Sequence, residues 1–440
     1  MKASCLRGSS TKAPPMSKAK LALILASLAL PLCGCVVDEA RTEALREERE
    51  AAPPTLPSDP IASPVMQGTT ASRVSVAIEA LGSVSYDGIQ VPLVSPDGRF
   101  IAAQDAPAPP RATRFATSVE GDVAGSRNAT VSISPLNADV IGFRPRAEVF
   151  DLEAPILLGR DSNLEGVLIE SPRPDGSRWI GVAEWSERDA RVRWIVQDQS
   201  VSAHAVFGPS DGLLYSRRRV GESRFELVLR DRDNQERTIS LPDASLVYPL
   251  MAPDLEHATC LAVRPSGAIS LLLIDLTASS GDSLGRVLRR FDLAASGGMA
   301  GAAQIVAASQ SAILGVGTGD AMSSSRGLDT APPLGPIFFH PAMDRCAAVD
   351  TARRTLVALA PKSVAAVDAG DGRALCSTPE GLVLWTPGPQ AGRGTATRVL
   401  SEDYLPRRTA STDRAFVLFA PVRRSATELS VFGMVPAEAP

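Results

Sequence analysis

Ser95-Pro96-Asp97-Gly98-Arg99-Phe100-Ile101-Ala102 joins a tight turn directly to an apolar, strand-forming run. Pro96 presets φ for a turn, and Gly98 can take φ > 0. Phe100 and Ile101 then favour a pleated, half-buried strand. Weaker versions of the unit follow. Pro135 comes 39 residues after Pro96, in Ser134-Pro135-Leu136-Asn137, and Pro174 another 39 later, in Arg173-Pro174-Asp175-Gly176-Ser177-Arg178. Pro209 follows after 35, Pro253 after 44 and Pro341 after 88, which is two units of 44. On that spacing a degenerate copy is expected near residue 297, where Gly297, Gly298 and Gly301 precede Gln304-Ile305-Val306-Ala307-Ala308. Pro379 comes 38 after Pro341, and a last, worn copy spans Thr409 to Leu418.

A period of about 40 residues with several short strands per unit is the signature of propeller blades. A single blade cannot bury its own faces, and stacking blades around an axis covers both. The expected fold is all-β: a propeller of seven or eight four-stranded blades over residues 74–437. Strand candidates are dense there, from Val74–Ala80 through Gly166–Glu170, Trp179–Glu184, Cys260–Arg264 and Ile269–Ile274 to Phe416–Ala420, with Ile305–Ala308 and Ile313–Val316 among them. Helix is expected only at Gly285–Leu293 and in parts of 296–304. The Ser95–Ala102 unit resembles the repeat of TolB-like β-propellers, found in many bacterial envelope proteins. The match is close at 95–102, partial at 174 and 209, and confined to spacing elsewhere. It implies a fold rather than an activity, because propellers of this kind serve as binding proteins, enzyme gates and catalysts.

Residues 1–35 have the layout of an export signal. Lys18 and Lys20 flank the largely apolar run Leu21–Leu32, which is too short to span a bilayer. The run ends in Leu32-Cys33-Gly34-Cys35, which resembles the bacterial lipobox. That resemblance implies that Cys35 carries lipid and becomes the mature N-terminus. Two or more acyl chains anchor stably to a membrane. Val36 and Val37 follow, with no Asp after the Cys, and this points to the outer membrane, facing periplasm or exterior. Met16 opens a compact signal of its own, so a start at Met1 or at Met16 stays open. Residues 36–73 are charged and then rich in proline (Pro53, Pro54, Pro57, Pro60, Pro64), the composition of a tether.

Removal of the segment before Cys35 takes five basic residues and no acidic ones, and leaves 40 basic against 49 acidic residues. A net-acidic domain without a basic cluster is a poor nucleic-acid binder. The residues that could carry chemistry are scattered. Cys260, Cys346 and Cys376 lack zinc-like spacing, and buried free thiols are expected, with a disulfide between two of them as the alternative. His204, His257 and His340 form no metal-binding pattern. Gly208-Pro209-Ser210-Asp211-Gly212 has the letters of a nucleophile elbow, but a strand rather than a helix is expected after it. No catalytic, metal or cofactor residue is singled out. The loops 105–113 and 318–333 are candidate contact surfaces. The resemblance to a lipobox, the tether, the repeat and the lack of a catalytic constellation together imply a lipid-anchored envelope propeller that binds or scaffolds a protein or glycan without catalysis. The alternative is an envelope polysaccharide hydrolase or lyase, with His and carboxylate residues converging in the channel.

Overall fold

In the computed structural model, the described residues are 76–86, 90–104, 131–136, 156–164, 166–184, 191–278, 283–307, 309, 334–388, 394–410, 415–422 and 428–436. The expected signal, Cys35, the tether, both candidate loops and Ile313–Val316 lie outside them.

Among the described residues the strands form seven antiparallel blades in chain order, the second and third being joined into one eight-stranded sheet by a single parallel bridge between Arg178 and Val201. After β1 (Val76–Ser85), the first blade holds β2 (Leu93–Val94), β3 (Phe100–Gln104) and β4 (Val131–Pro135). The second holds β5 (Leu157–Ser162), β6 (Gly166–Pro172), β7 (Arg178–Glu184) and β8 (Arg191–Val196). The third holds β9 (Val201–Phe207), β10 (Leu213–Arg218), β11 (Glu226–Arg230) and β12 (Glu236–Ile239). The fourth holds β13 (Ser245–Met251), β14 (His257–Val263), β15 (Ile269–Asp275) and β16 (Arg286–Ala294), and a helix, α1 (Gly298–Val306), follows it. The fifth holds β17 (Ile337–His340), β18 (Arg345–Asp350) and β19 (Thr355–Ala358). The sixth holds β20 (Ala365–Gly370), β21 (Arg373–Thr378), β22 (Gly381–Pro387) and β23 (Gly394–Leu400). The seventh holds β24 (Leu405–Arg408), β25 (Phe416–Pro421) and β26 (Glu428–Pro436), and β1 completes it. The register of that last pair runs from Val76 opposite Pro436 to Ser85 opposite Glu428. The two ends of the described chain therefore share one sheet, which closes the ring. The protein is a β-propeller.

Burial explains why the strands read as they do. Blades stack on both faces, so the middle strands are covered on both sides and lose alternation. Ala258 to Val263 of β14 and Ile269 to Ile274 of β15 are buried throughout. Fourth strands face water. In β16, Arg286, Arg289 and Asp292 are exposed, and charge on such an edge discourages further pairing. That strand corrects the helix expected at Gly285–Leu293. Val287, Leu288 and Phe291 recur at helical spacing, but they are the half-covered face of an edge strand.

The other correction concerns residue 297. No blade turn lies there; Gly297 (φ 132°) and Gly298 (φ 56°) lead into α1, whose Ala302, Ile305 and Val306 are buried. The strand expected at Ile305–Ala308 is helical through Val306. Small residues with good helix propensity, Ala300, Ala302 and Ala303, favour this outcome.

The proline markers fall into two classes. Pro96, Pro209 and Pro253 lie in the hairpin between first and second strands. Pro174 and Pro379 lie between second and third strands, and Pro135 ends β4. The fifth blade resolves Pro341. Thr351, between β18 and β19, donates from Oγ1 to Asp254 Oδ2 in the β13–β14 hairpin (3.2 Å). Antiparallel order puts only first-to-second and third-to-fourth hairpins at that end. β17, β18 and β19 therefore occupy the second, third and fourth positions. Pro341 is a second-to-third turn and Pro253 a first-to-second one, so the 88 residues between them do not count whole units. An equivalent pair had passed unnoticed. Arg173-Pro174-Asp175-Gly176 and Arg264-Pro265-Ser266-Gly267 close matching turns, with Arg173 N–H donating to Ser177 O and Arg264 N–H to Ala268 O (both 2.9 Å).

Candidate functional site

Three first strands break register at one level. In β9, His204 and Ala205 together face Tyr215 of β10. In β13, Tyr248 and Pro249 face Cys260 of β14. In β5, Gly159, Arg160 and Asp161 face Leu168 of β6. Such bulges re-aim side chains and recur beside functional sites. His204 (φ 58°) and Tyr248 (φ 52°) sit in the left-handed region, at a cost of about 1–3 kcal/mol each. Gly159 is required by contact, because a Cβ there would lie 2.4 Å from the Leu168 carbonyl oxygen.

The bulges bring Arg160, His204 and Tyr248 together. The His204 and Tyr248 rings stack at 3.9 Å between centroids, and the Arg160 guanidinium lies 5.3 Å from the Tyr248 centroid. Arg160 donates to the Val306 carbonyl at the end of α1, where the helix dipole favours a cation. Glu170 of β6 is spoken for on both oxygens: Oε1 accepts the His204 backbone N–H (2.5 Å) and Oε2 accepts from Arg178 (3.0 Å). Arg407 of β24 is only 3% exposed and donates from Nε to the Pro92 carbonyl (3.4 Å). Burial, and then the charge of Arg160, pull Arg407 down to about 10. Burial likewise lowers Arg160, against the opposing influence of Tyr248 and Glu170. Burial, then Arg160 and Arg178, push His204 down to about 3, so its ring is neutral at physiological pH. Its Nδ1 is buried with no hydrogen-bond partner among the described residues. Among the described residues the cluster gathers the Arg160 and Arg178 guanidiniums and the Glu170 carboxylate beside a neutral imidazole and a phenol.

The sequence candidates are dispersed. His257 pairs with Asp254 Oδ2 at 2.9 Å in the β13–β14 hairpin. His340 is buried beside Phe338, and Cys260, Cys346 and Cys376 are buried free thiols, each raised to about 12 by burial. Ser210 lies in a short 3-10 turn (Pro209–Asp211) and strand β10 follows, so the elbow letters have no elbow. The convergence of His with carboxylate does occur at His204 and Glu170, but through the backbone N–H and not the ring. Among the described residues no group of three His, Cys, Asp or Glu side chains is placed to hold a metal. Sequence reasoning missed Arg160, Glu170, Arg178, Tyr248 and Arg407. One signal was available: His204 and Tyr248 each stand five residues before a hairpin proline, Pro209 and Pro253. A concavity of about 740 Å³ lies at the sixth blade, away from this cluster, lined by Lys362, Thr378, Glu380, Val383, Arg398 and Leu400. Its Arg398 and Glu380 are exposed and pair with each other at 3.4 Å.

No protein-family description matches the chain, and no curated protein does. Solved structures resemble it at low identity. The WD40 domain of Toxoplasma gondii coronin is 12% identical, with 86% of this chain and 90% of that one covered at a TM-score of 0.47. The Dos1 propeller is 10% identical, with 81% and 95% covered at 0.43. A putative TolB from Agrobacterium tumefaciens is 12% identical, with 48% and 72% covered at 0.33. The assignment to the propeller fold rests on the seven blades of the described residues and the closing pair of strands.

Proposed function

We propose that the chain is a lipid-anchored, non-catalytic binding propeller of the bacterial cell envelope, of the TolB-like kind on the strength of Ser95–Ala102. Its lipid is carried on Cys35 and its ligand is taken at the ring axis. The observation that carries the binding role is the make-up of the axial cluster. Glu170 is engaged by two donors, and the His204 ring is held neutral and stacked. Neither is arranged as a proton-transfer partner of the other, while the guanidiniums and aromatic faces are recognition chemistry. The lipobox-like Leu32–Cys35 and the proline-rich tether support the address.

The test is fractionation of a bacterium that expresses the full chain. Wild type partitions with the envelope membranes and carries a diacyl modification by mass spectrometry. Cys35→Ala is expected to lose both. Equal membrane partition of the two, with no lipid on either, overturns the anchor.

A further inference from the structure

The hollow at the sixth blade has the make-up of a small-molecule site. Ligand pockets run from about 300 to 1,000 Å³ and are mostly apolar, with a few placed polar groups. This one holds about 740 Å³, and Val383, Ala396, Val399 and Leu400 of β22 and β23 wall it. Two braced turns border it. In the turn after β19, the buried Ser363 donates from Oγ to the Ala360 carbonyl (2.7 Å), and the same Oγ accepts the Cys346 N–H (2.9 Å). In the β21–β22 hairpin, Thr378 Oγ1 donates to the Gly381 carbonyl (2.8 Å) and accepts the Glu380 N–H (3.3 Å). Gly381 is pressed on the end of β23, since a Cβ there would lie 2.2 Å from the Leu400 carbonyl oxygen. Walls so tied are set before a ligand arrives, which lowers the ordering cost of binding. The charges at the hollow do not cancel. Glu380 is paired with Arg398 at 3.4 Å. Lys362, in the turn after β19, also lines the hollow, is exposed to solvent and makes no ion pair among the described residues. It is the only lysine after residue 20.

We propose that this hollow binds a small apolar monocarboxylate. Lys362 meets the carboxylate as a point charge, and Val383, Val399 and Leu400 cover the apolar chain. One ammonium beside an apolar wall matches a ligand with one anionic end and one apolar end. It matches neither a neutral sugar nor a polyanion. The hollow is separate from the axis, and its ligand is independent of what the axis binds.

The test is saturation-transfer NMR of the full chain in nonionic detergent, titrated with hexanoate, with hexanamide and with acetate. Hexanoate is expected to bind at one site. Hexanamide, which lacks the charge, and acetate, which lacks the chain, are each expected to bind at least fivefold more weakly. Lys362→Gln is expected to weaken hexanoate at least fivefold and to leave hexanamide unchanged. Ala396→Trp puts an indole into the hollow from an exposed strand position and is expected to weaken hexanoate at least tenfold. Arg353→Gln, at a 73% exposed side chain paired with Asp350, is expected to leave it unchanged. Thermal melts check that each variant is folded; if Ala396→Trp unfolds, Lys362→Gln, at an exposed turn position, decides alone. Absence of hexanoate binding by wild type overturns the inference, as does hexanoate binding that the folded Lys362 and Ala396 variants leave unchanged. Hexanamide bound as tightly as hexanoate overturns the carboxylate, and acetate bound as tightly overturns the apolar chain. None of these failures touches the axial reading, which the Cys35 and axial experiments test separately.

Discussion

The first hairpin and the axial bulges are built from similar polar groups and are tied together in opposite ways. In the hairpin, Ser95 Oγ accepts the backbone N–H of Arg99 and of Phe100 (both 3.0 Å) and donates to Asp97 Oδ1 (2.6 Å). Asp97 also accepts from Arg99 Nε at 2.6 Å. Partial burial raises the Asp97 carboxyl, but the bonds from Ser95 and Arg99 outweigh it and hold the group below its ordinary value. Every charge is answered within six residues. At the axis the groups come from β5, β6, β7, β9, β13 and the end of α1, and their contacts run between strands. Locally closed polar groups specify a turn. Polar groups assembled from many strands depend on the whole ring for their arrangement, and buried groups of that kind with shifted titration are candidates for function.

If that division is right, damage to the core should lower stability without changing the site. Phe419 of β25 is fully buried in the layer between the closing sheet and the first blade, with Val94, Ile101 and Leu429. Phe419→Ala is expected to cost about 3–5 kcal/mol in urea unfolding. The NMR signals of the His204 ring, which is stacked on Tyr248, should stay unchanged in the remaining folded protein. A parallel shift of those signals would merge the two regions.

Asp161 sharpens the comparison, because it neighbours Arg160 but faces the other way. Its Oδ1 accepts the Ser162 N–H and its Oδ2 the Phe207 N–H (both 2.9 Å), tying the second blade to the third. Burial raises its carboxyl to about 7, against the lowering pull of those two bonds. The folded state thus holds the proton more tightly than the unfolded chain. Its contribution is fully present below the unfolded value near 4 and is lost as pH rises through about 7. Chemical denaturation from pH 4 to 8 should show stability falling by on the order of a few kcal/mol from this group. Asp161→Asn should flatten that slope while lowering stability at pH 5, because an amide can accept only one of the two N–H bonds well. An unchanged slope would remove Asp161 from the account.

These two regions were not equally legible in the sequence. The hairpin was readable because its turn chemistry and its strand are contiguous, and the ring followed from repetition of such units. Yet the repetition mixed two kinds of turn at opposite ends of the blades, since Pro-Asp-Gly suits both. Of the strands that build the site, β5, β6 and β7 were expected in part, and β9 and β13 were passed over. β13 carries Pro249 and the four-residue β24 carries Pro406, which argue against a strand. Bulges in β9 and β13 also break the alternation that marks a strand. Arg160 and Arg178 looked like ordinary surface charges, since only the folded ring sets Arg160 against Tyr248 and Arg178 against Glu170. The helical spacing in β16 and the glycines before α1 misled in opposite directions, because burial by adjacent blades decides what a short apolar run becomes.

Gly159 joins the two kinds of region, since it lies in a bulge but its demand is steric. Gly159→Ala pushes a methyl group against the Leu168 backbone and should cost about 1–3 kcal/mol. It should also displace Arg160 next to it and shift the NMR signals of the Tyr248 ring, against which the Arg160 guanidinium lies. A stability loss with unchanged Tyr248 signals would show that the bulge does not aim Arg160.

Gly98→Ala is the mildest test and the sharpest control. Gly98 holds φ 72° in the Ser95–Phe100 turn, and its N–H donates to the Ser95 carbonyl at 2.9 Å. Alanine can reach that conformation at a cost of about 1 kcal/mol. The strain has nowhere to travel, because the polar groups of the turn answer one another, and the Pro96 carbonyl reaches only the neighbouring hairpin at Ala410. The variant should melt slightly earlier than wild type and leave the His204 and Tyr248 ring signals where they were. A shift of those signals would mean that the hairpins and the axis are mechanically coupled around the ring, and the separation of structural turns from a functional centre would fail at its simplest point.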